Sequence, residues 1–145
     1  MKNLLLLFFN IIFLNNLIKI KFENLNSNSN NIFHSIPQIN IDEKGKFKYI
    51  QILCNESNYF IWGSKKYKYH KFIYQAFKKQ LNTHYIPINY CKVLGGGRIL
   101  FKKKKKNILV YGYSNRFGRC DHNITVNILK KYYNNFNISF SNEGY

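Results

Sequence analysis

The chain has 145 residues, enough for one compact domain and hardly for two. Hydrophobic residues make up 46% and aromatic residues 18%, which excludes a largely disordered body. Lys and Arg number 23 against 6 Asp and Glu, a net charge of +17 that draws anions of every kind and selects none of them.

Part of that basicity is compositional. Asn, Lys, Ile, Tyr and Phe, all read from AT-rich codons, are over-used along the whole chain. The three cysteines, Cys54, Cys91 and Cys120, form no CxxC pair, and their odd number argues against a disulfide framework. His34, His70, His84 and His122 lie far apart without metal-ligand spacing, so no metal site is expected.

Residues 1–22 have a short basic start and an apolar run from Leu4 to Leu14. The run is short for a membrane span and has the length of a signal-like segment or anchor. Residues 23–35, with "ENLNSNSNN", read as an Asn/Ser-rich disordered linker with nothing to bury. The folded domain is expected over residues 36–145. Sequons at Asn55, Asn123 and Asn137 are no more than so Asn-rich a chain supplies by chance.

"KFKYIQILC" (Lys46 to Cys54) alternates as a strand, with Phe47, Tyr49 and Leu53 on one face and Ile50 and Ile52 on the other. Lys48 shares the second face, an odd place for a lysine that only solvates. "NYFIWGS" reads as a second strand. "YHKFIYQAFKKQL" places Tyr69, Phe72, Ile73, Ala76, Phe77 and Gln80 on one face of an amphipathic helix.

"YIPINYCKVL" and "RILF" read as two strands around Gly95, Gly96 and Gly97, and "KKKKKN" as an exposed turn into "NILVYGYS". Asp121 is placed to cap a second helix, with Ile124, Ile128, Leu129 and Tyr132 on one face. "NISFSNEGY" closes the chain as a last strand. These elements predict an α/β domain of the α+β kind, a mixed sheet of about six strands flanked by two α-helices.

The segment Val110 to Asn123, "VYGYSNRFGRCDHN", runs from a strand through glycine-punctuated polar backbone into a helix start. Such backbone can form a concave nest of N–H groups for an anion, with the helix dipole behind it. Neither a Walker lysine-serine pair nor GxGxxG occurs, so nucleotide binding has no specific support. The glycine run beside Arg98 reads as a strand bending tightly next to an anion or as a glycine bulge with Arg98 on the surface. His70, where a turn hands over to the first helix, is the histidine placed to move a proton near neutral pH.

In order, "IPQINIDEKGKFKYI", "KYHKFIY", "LGGGRI", "VYGYSNRFGRCDH" and "NEGY" resemble the small (14 kDa type) phosphohistidine phosphatase family, the Janus/Ocnus type, over Ile36 to Tyr145. The resemblance implies a metal-free, cofactor-free phosphatase acting on phosphohistidine-containing proteins. It implies His70 as the catalytic residue, general base or nucleophile. It further implies substrate contacts from Lys48, Arg98, Ser114, Asn115, Arg116, Gly118 and His122.

One position departs from the family, whose members commonly carry an arginine where this chain has Trp62; Arg116 and Arg119 are candidates to replace that cation. The alternative reading is a non-catalytic phosphoprotein- or anion-binding module. No specific nucleic-acid partner is expected, because Lys102 to Lys106 fall in one predicted hairpin turn. The resemblance implies a cytoplasmic monomer. A working N-terminal signal would instead bring a membrane or translocon contact and a secretory-pathway or membrane location.

Overall fold

The period-2 alternation of "KFKYIQILC" sets the middle of a sheet. The computed structural model describes residues 2–144, and the chain divides at His34/Ser35 into two units. In the second unit β1 (Ile39–Ile41), β2 (Gly45–Cys54), β3 (Asn58–Ser64), β4 (Cys91–Lys102), β5 (Asn107–Tyr111) and β6 (Asn137–Phe140) form one sheet. The strand order is β1-β3-β2-β4-β5-β6. The two outer pairs run parallel and the inner three antiparallel, a mixed sheet. Helices α2 (His70–Thr83) and α3 (His122–Tyr132) complete the α+β fold.

Each face of β2 takes one helix. Phe47 and Tyr49 join Ile99, Phe101, Ile108 and Val110 in a core closed by Val126 and Leu129 of α3. Ile50 and Ile52, fully buried, point the other way, where α2 lays Phe77 against Phe60 and Trp62 at ring distances of 5.3 and 5.1 Å. Burying each such side chain contributes about 1.5–3 kcal/mol, so the two faces lock both helices to the sheet.

Three local readings change. The α2 stripe is His70, Ile73, Phe77 and Leu81, while Tyr69 and Phe72 are exposed. Tyr69 lies outside the helix, at the N-cap with extended backbone, so the inner face begins at His70. The two strands expected around the glycines are one, β4, paired along β2 with a register shift between Gln51 and Ile52 that leaves Leu94 over. In α3, Thr125 and Val126 are buried while Tyr132 points outward and donates its hydroxyl to Gln38 Oε1 at 2.7 Å.

The first unit holds α1 (Lys2–Asn31). Its polar end, Glu23 to Asn31, had the composition of a disordered linker; it contains neither proline nor glycine, and the helix continues through it. Leu6, Phe9 and Phe13 on α1 are each about two-thirds exposed. Among the described residues no helix is long and apolar enough to cross a membrane.

Cys54 and Cys91, opposed in the β2–β4 register, form a disulfide, and Cys120 stays a buried thiol. The odd cysteine count thus reflects one bridge plus one free thiol. The bridge closes a loop over a sequence separation of 37 that contains β3 and α2. Reduction, or a Cys54→Ala/Cys91→Ala variant, is expected to lower the unfolding free energy by about 2–4 kcal/mol in urea titrations. Identical midpoints with and without reductant would contradict this.

Candidate active site

The site begins with what the glycines leave out. Gly96 and Gly97 sit opposite Ile50 and Tyr49 in the centre of the sheet and face its two sides. A Cβ on Gly96 would come within 2.9 Å of His70 Cδ2 and 3.3 Å of Ser114 Cβ. A Cβ on Gly97 would meet His122 Cε1 at 2.9 Å and Tyr49 Cε1 at 3.1 Å. One on Gly95 would meet the Cys120 amide at 2.5 Å. The run begins at an irregularity in β4, where Leu94 has no partner on β2 and Gly95 has φ +152°. Gly96 and Gly97 beyond it make a thin place in the strand, against which a histidine packs from each face.

The two histidines are held differently. His70 Nε2 donates to Gly97 O at 2.9 Å, which leaves Nδ1 as the nitrogen that gains or loses a proton. His122 Nε2 donates to Gly112 O at 2.8 Å, and its Nδ1 accepts from the Tyr49 hydroxyl at 2.6 Å. With both nitrogens engaged and 1% exposure, His122 stands outside the cavity lining as an internal brace. That brace extends through Tyr49 to Thr125 Oγ1 at 3.3 Å and on to Gln51 Nε2 at 2.8 Å.

The loop after Tyr113 is tied mostly to itself. Ser114 Oγ accepts from the Phe117 amide at 3.1 Å, and Ser114 O accepts from the Gly118 amide at 2.7 Å. Gly118 O in turn accepts from the amides of Ser114 and Gly96, at 3.1 and 3.0 Å, which docks the loop on β4. Ser114, 1% exposed, and Gly118 thus shape the loop and stand outside the cavity lining. The expected nest of amides leading into α3 changes accordingly. Asp121 caps α3, its carboxylate accepting from the Asn123 amide at 2.9 Å, and so places a negative charge at that helix start.

The open helix start is that of α2. Tyr69 makes no side-chain cap, no acidic residue occupies the first turn, and Tyr69, His70 and Lys71 line a cavity of about 300 Å³. Uncapped N–H groups at a helix start favour an anion. Lys48, Lys68, Asn115 and Arg116 complete the wall.

Lys48 arrives because the alternation of β2 puts it on the α2 face, and register sets Arg98 of β4 directly opposite it. Arg98 lines an adjoining hollow that shares Lys48 and Lys68 with the first. Of the residues singled out from sequence, Lys48, His70, Asn115 and Arg116 therefore converge on one cavity, with Arg98 next door. Ser114, Gly118 and His122 are outside that lining, with Ser114 beside His70 at Gly96 and His122 on the other face at Gly97.

Electrostatics follow from this packing. His70 is 6% exposed, and burial lowers its pKa below the ordinary histidine value. The hydrogen bond to Gly97 opposes that shift, while Lys48 and Arg98 add to it. Lys48 is itself pushed down, first by burial and then by Arg98. Lys48 and Arg98 thus bring two positive charges to facing positions on this side of the sheet.

Trp62 is a core residue, 5% exposed, stacked edge-on against Phe77 and donating Nε1–H to Pro37 O at 2.9 Å. Arg116 lines the cavity, while Arg119 stacks over Tyr113 with 5.5 Å to the ring centre. Lys71, which flanks His70 in "KKYKYHK", and Lys68 of the same run also line the site. No group of three or more His, Cys, Asp or Glu side chains is placed to hold a metal among the described residues.

A family model described as Janus/Ocnus matches residues 33–137. The 14 kDa phosphohistidine phosphatase of Sus scrofa is 33% identical over 120 residues, covering 76% of this chain and 93% of that protein. Its Homo sapiens counterpart is 32% identical over 120 residues, with 76% and 94% covered. The sex-regulated protein janus-A of Drosophila melanogaster is 35% identical over 118 residues, with 76% and 82% covered.

Removing the Lys48 charge takes away one term that disfavours imidazolium. In Lys48→Met the His70 ring is therefore expected to titrate at higher pH than in the parent protein, as read by ring-proton NMR. An unchanged or lower titration point would contradict the cationic arrangement.

Proposed function

Since the chain belongs to the Janus/Ocnus family, we propose that it is a protein phosphohistidine phosphatase, hydrolysing the P–N bond of phosphohistidine in protein substrates. One observation carries the reading. His70 opens on a cavity walled by cations, with Nε2 tied to Gly97 O and its pKa lowered. A dianionic phosphoryl group meets Lys48, Arg116 and the first turn of α2 there, with Arg98 at the border.

Phosphoryl transfer needs in-line positioning and stabilisation of charge on three oxygens. Lysine and guanidinium groups with helix N–H donors provide that potential, and such pre-aimed donors are worth about 3–4 kcal/mol each. Water attacks phosphorus and gives its proton to His70 Nδ1 as the P–N bond breaks. The electron pair of that bond stays on the substrate imidazole nitrogen, which takes the proton from His70 and leaves as neutral histidine while His70 returns to its neutral form. In the nucleophilic variant Nδ1 attacks phosphorus itself and water then cleaves phospho-His70. Both routes need the neutral imidazole, which the lowered pKa favours near neutral pH.

Hydrolysis of phosphoramidate and of a phosphohistidine peptide, with EDTA present, tests the proposal. His70→Asn is expected to lower kcat by about 10²–10⁴, and Arg98→Ala to lower kcat/KM by about 10²–10³. Phosphate release at the parent rate from both variants would defeat this site. Saturable peptide binding without release would mark a binding module instead.

A further inference from the structure

The cationic wall does not stop at the phosphate cavity. The adjoining hollow, about 310 Å³, shares Lys48 and Lys68 with it and adds Lys46, Lys65, Tyr67 and Arg98. We propose that this second hollow is a subsite for carboxylate side chains of the substrate polypeptide, so that the favoured substrate carries Asp or Glu a few residues from the phosphohistidine. The inference rests on the phosphatase reading and deepens it.

Three observations support it. No Asp or Glu lines either cavity among the described residues. The acidic groups on the segment before β2 are engaged. Asp42 accepts from the Ser64 hydroxyl at 3.1 and 3.2 Å and from the Lys65 amide at 2.6 Å, and Glu43 pairs with Lys103 at 2.8 Å. The third is register. Lys48 and Arg98 are directly opposed on β2 and β4, and Lys46 lies two residues along β2 on the face of Lys48.

Lys46, Lys48, Lys65 and Lys68 gathered on one wall attract anionic side chains laid along it. One phosphoryl group fills the first cavity and leaves the second open. Because the two share walls, the occupant of the second is the chain that carries the phosphohistidine. An extended peptide rises ~3.3 Å per residue, so a side chain two or three positions from the phosphohistidine reaches about 7–10 Å along the wall. Carboxylates match lysine and guanidinium donors in charge and geometry.

The test compares two phosphohistidine peptides of equal length, with Glu or Gln at the second and third positions on both sides. The acidic peptide is expected to show a KM lower by roughly tenfold at similar kcat, the scale that two solvent-screened ion pairs supply. Lys46→Gln/Lys65→Gln, which changes neither His70 nor the phosphate contacts, is expected to remove most of that difference and leave phosphoramidate hydrolysis unchanged. Equal KM values in the parent protein, or a preference that survives the double variant, overturn the subsite and leave the phosphatase reading standing.

If neither substrate is hydrolysed, the phosphatase reading fails by itself. Fluorescence anisotropy of the labelled peptides then decides the subsite: tighter acidic binding lost in the double variant supports it, and equal affinities overturn it. A single-stranded oligonucleotide that displaces the acidic peptide at lower concentration than unlabelled acidic peptide also overturns it, in favour of a nucleic-acid surface.

Discussion

The hydrogen bond from His70 Nε2 to Gly97 O holds the site together. It joins the first residue of α2 to the middle of β4 and can form only because Gly96 lacks a side chain where the imidazole lies. A backbone carbonyl only accepts, so the bond also decides which ring nitrogen carries the permanent proton. Sheet register, helix placement and proton chemistry thus meet in one contact. Burial lowers the ring's pKa below the ordinary histidine value, with Lys48 and Arg98 adding to the shift and the Gly97 bond opposing it.

Around that contact the sheet separates two jobs. On the α2 face the end beyond the helix carries Lys48 and Arg98, while the inner half is closed by Ile50, Ile52, Phe60 and Trp62. On the α3 face, Tyr49, His122, Thr125 and Gln51 form a buried polar chain under the loop. Gln51 Oε1 is the one buried side-chain acceptor without a partner among the described residues. The loop is docked to β4 through Gly118 and Gly96 and braced from below through Tyr49. The cavity-side surface is therefore presented by a backbone that is also held from the opposite face.

Much of this was legible in the residues. Strand parity separated Lys48 from Phe47 and Tyr49, and Asp121 announced the start of α3 because capping is local chemistry. Less legible was anything that depends on what crosses the sheet. Three glycines in a row signal a close approach, yet a bend and a thin strand look alike until His70 and His122 are seen on opposite sides. His122 resembled a ligand-side histidine because sequence does not reveal that Tyr49, 73 residues away, fills its second nitrogen. Tyr69 and Phe72 fit a helical stripe as well as His70 does, and only the position of Phe60 and Trp62 selects the true inner face. The Cys54–Cys91 pairing likewise depends on a strand register that spacing does not encode.

The central claim is that His70 rests neutral with its proton on Nε2 and Nδ1 open to the cavity. Long-range proton–nitrogen correlation NMR of the protein at neutral pH reads that state directly. The account predicts a protonated Nε2 and an unprotonated Nδ1. A ring protonated on Nδ1, or on both nitrogens, would contradict it.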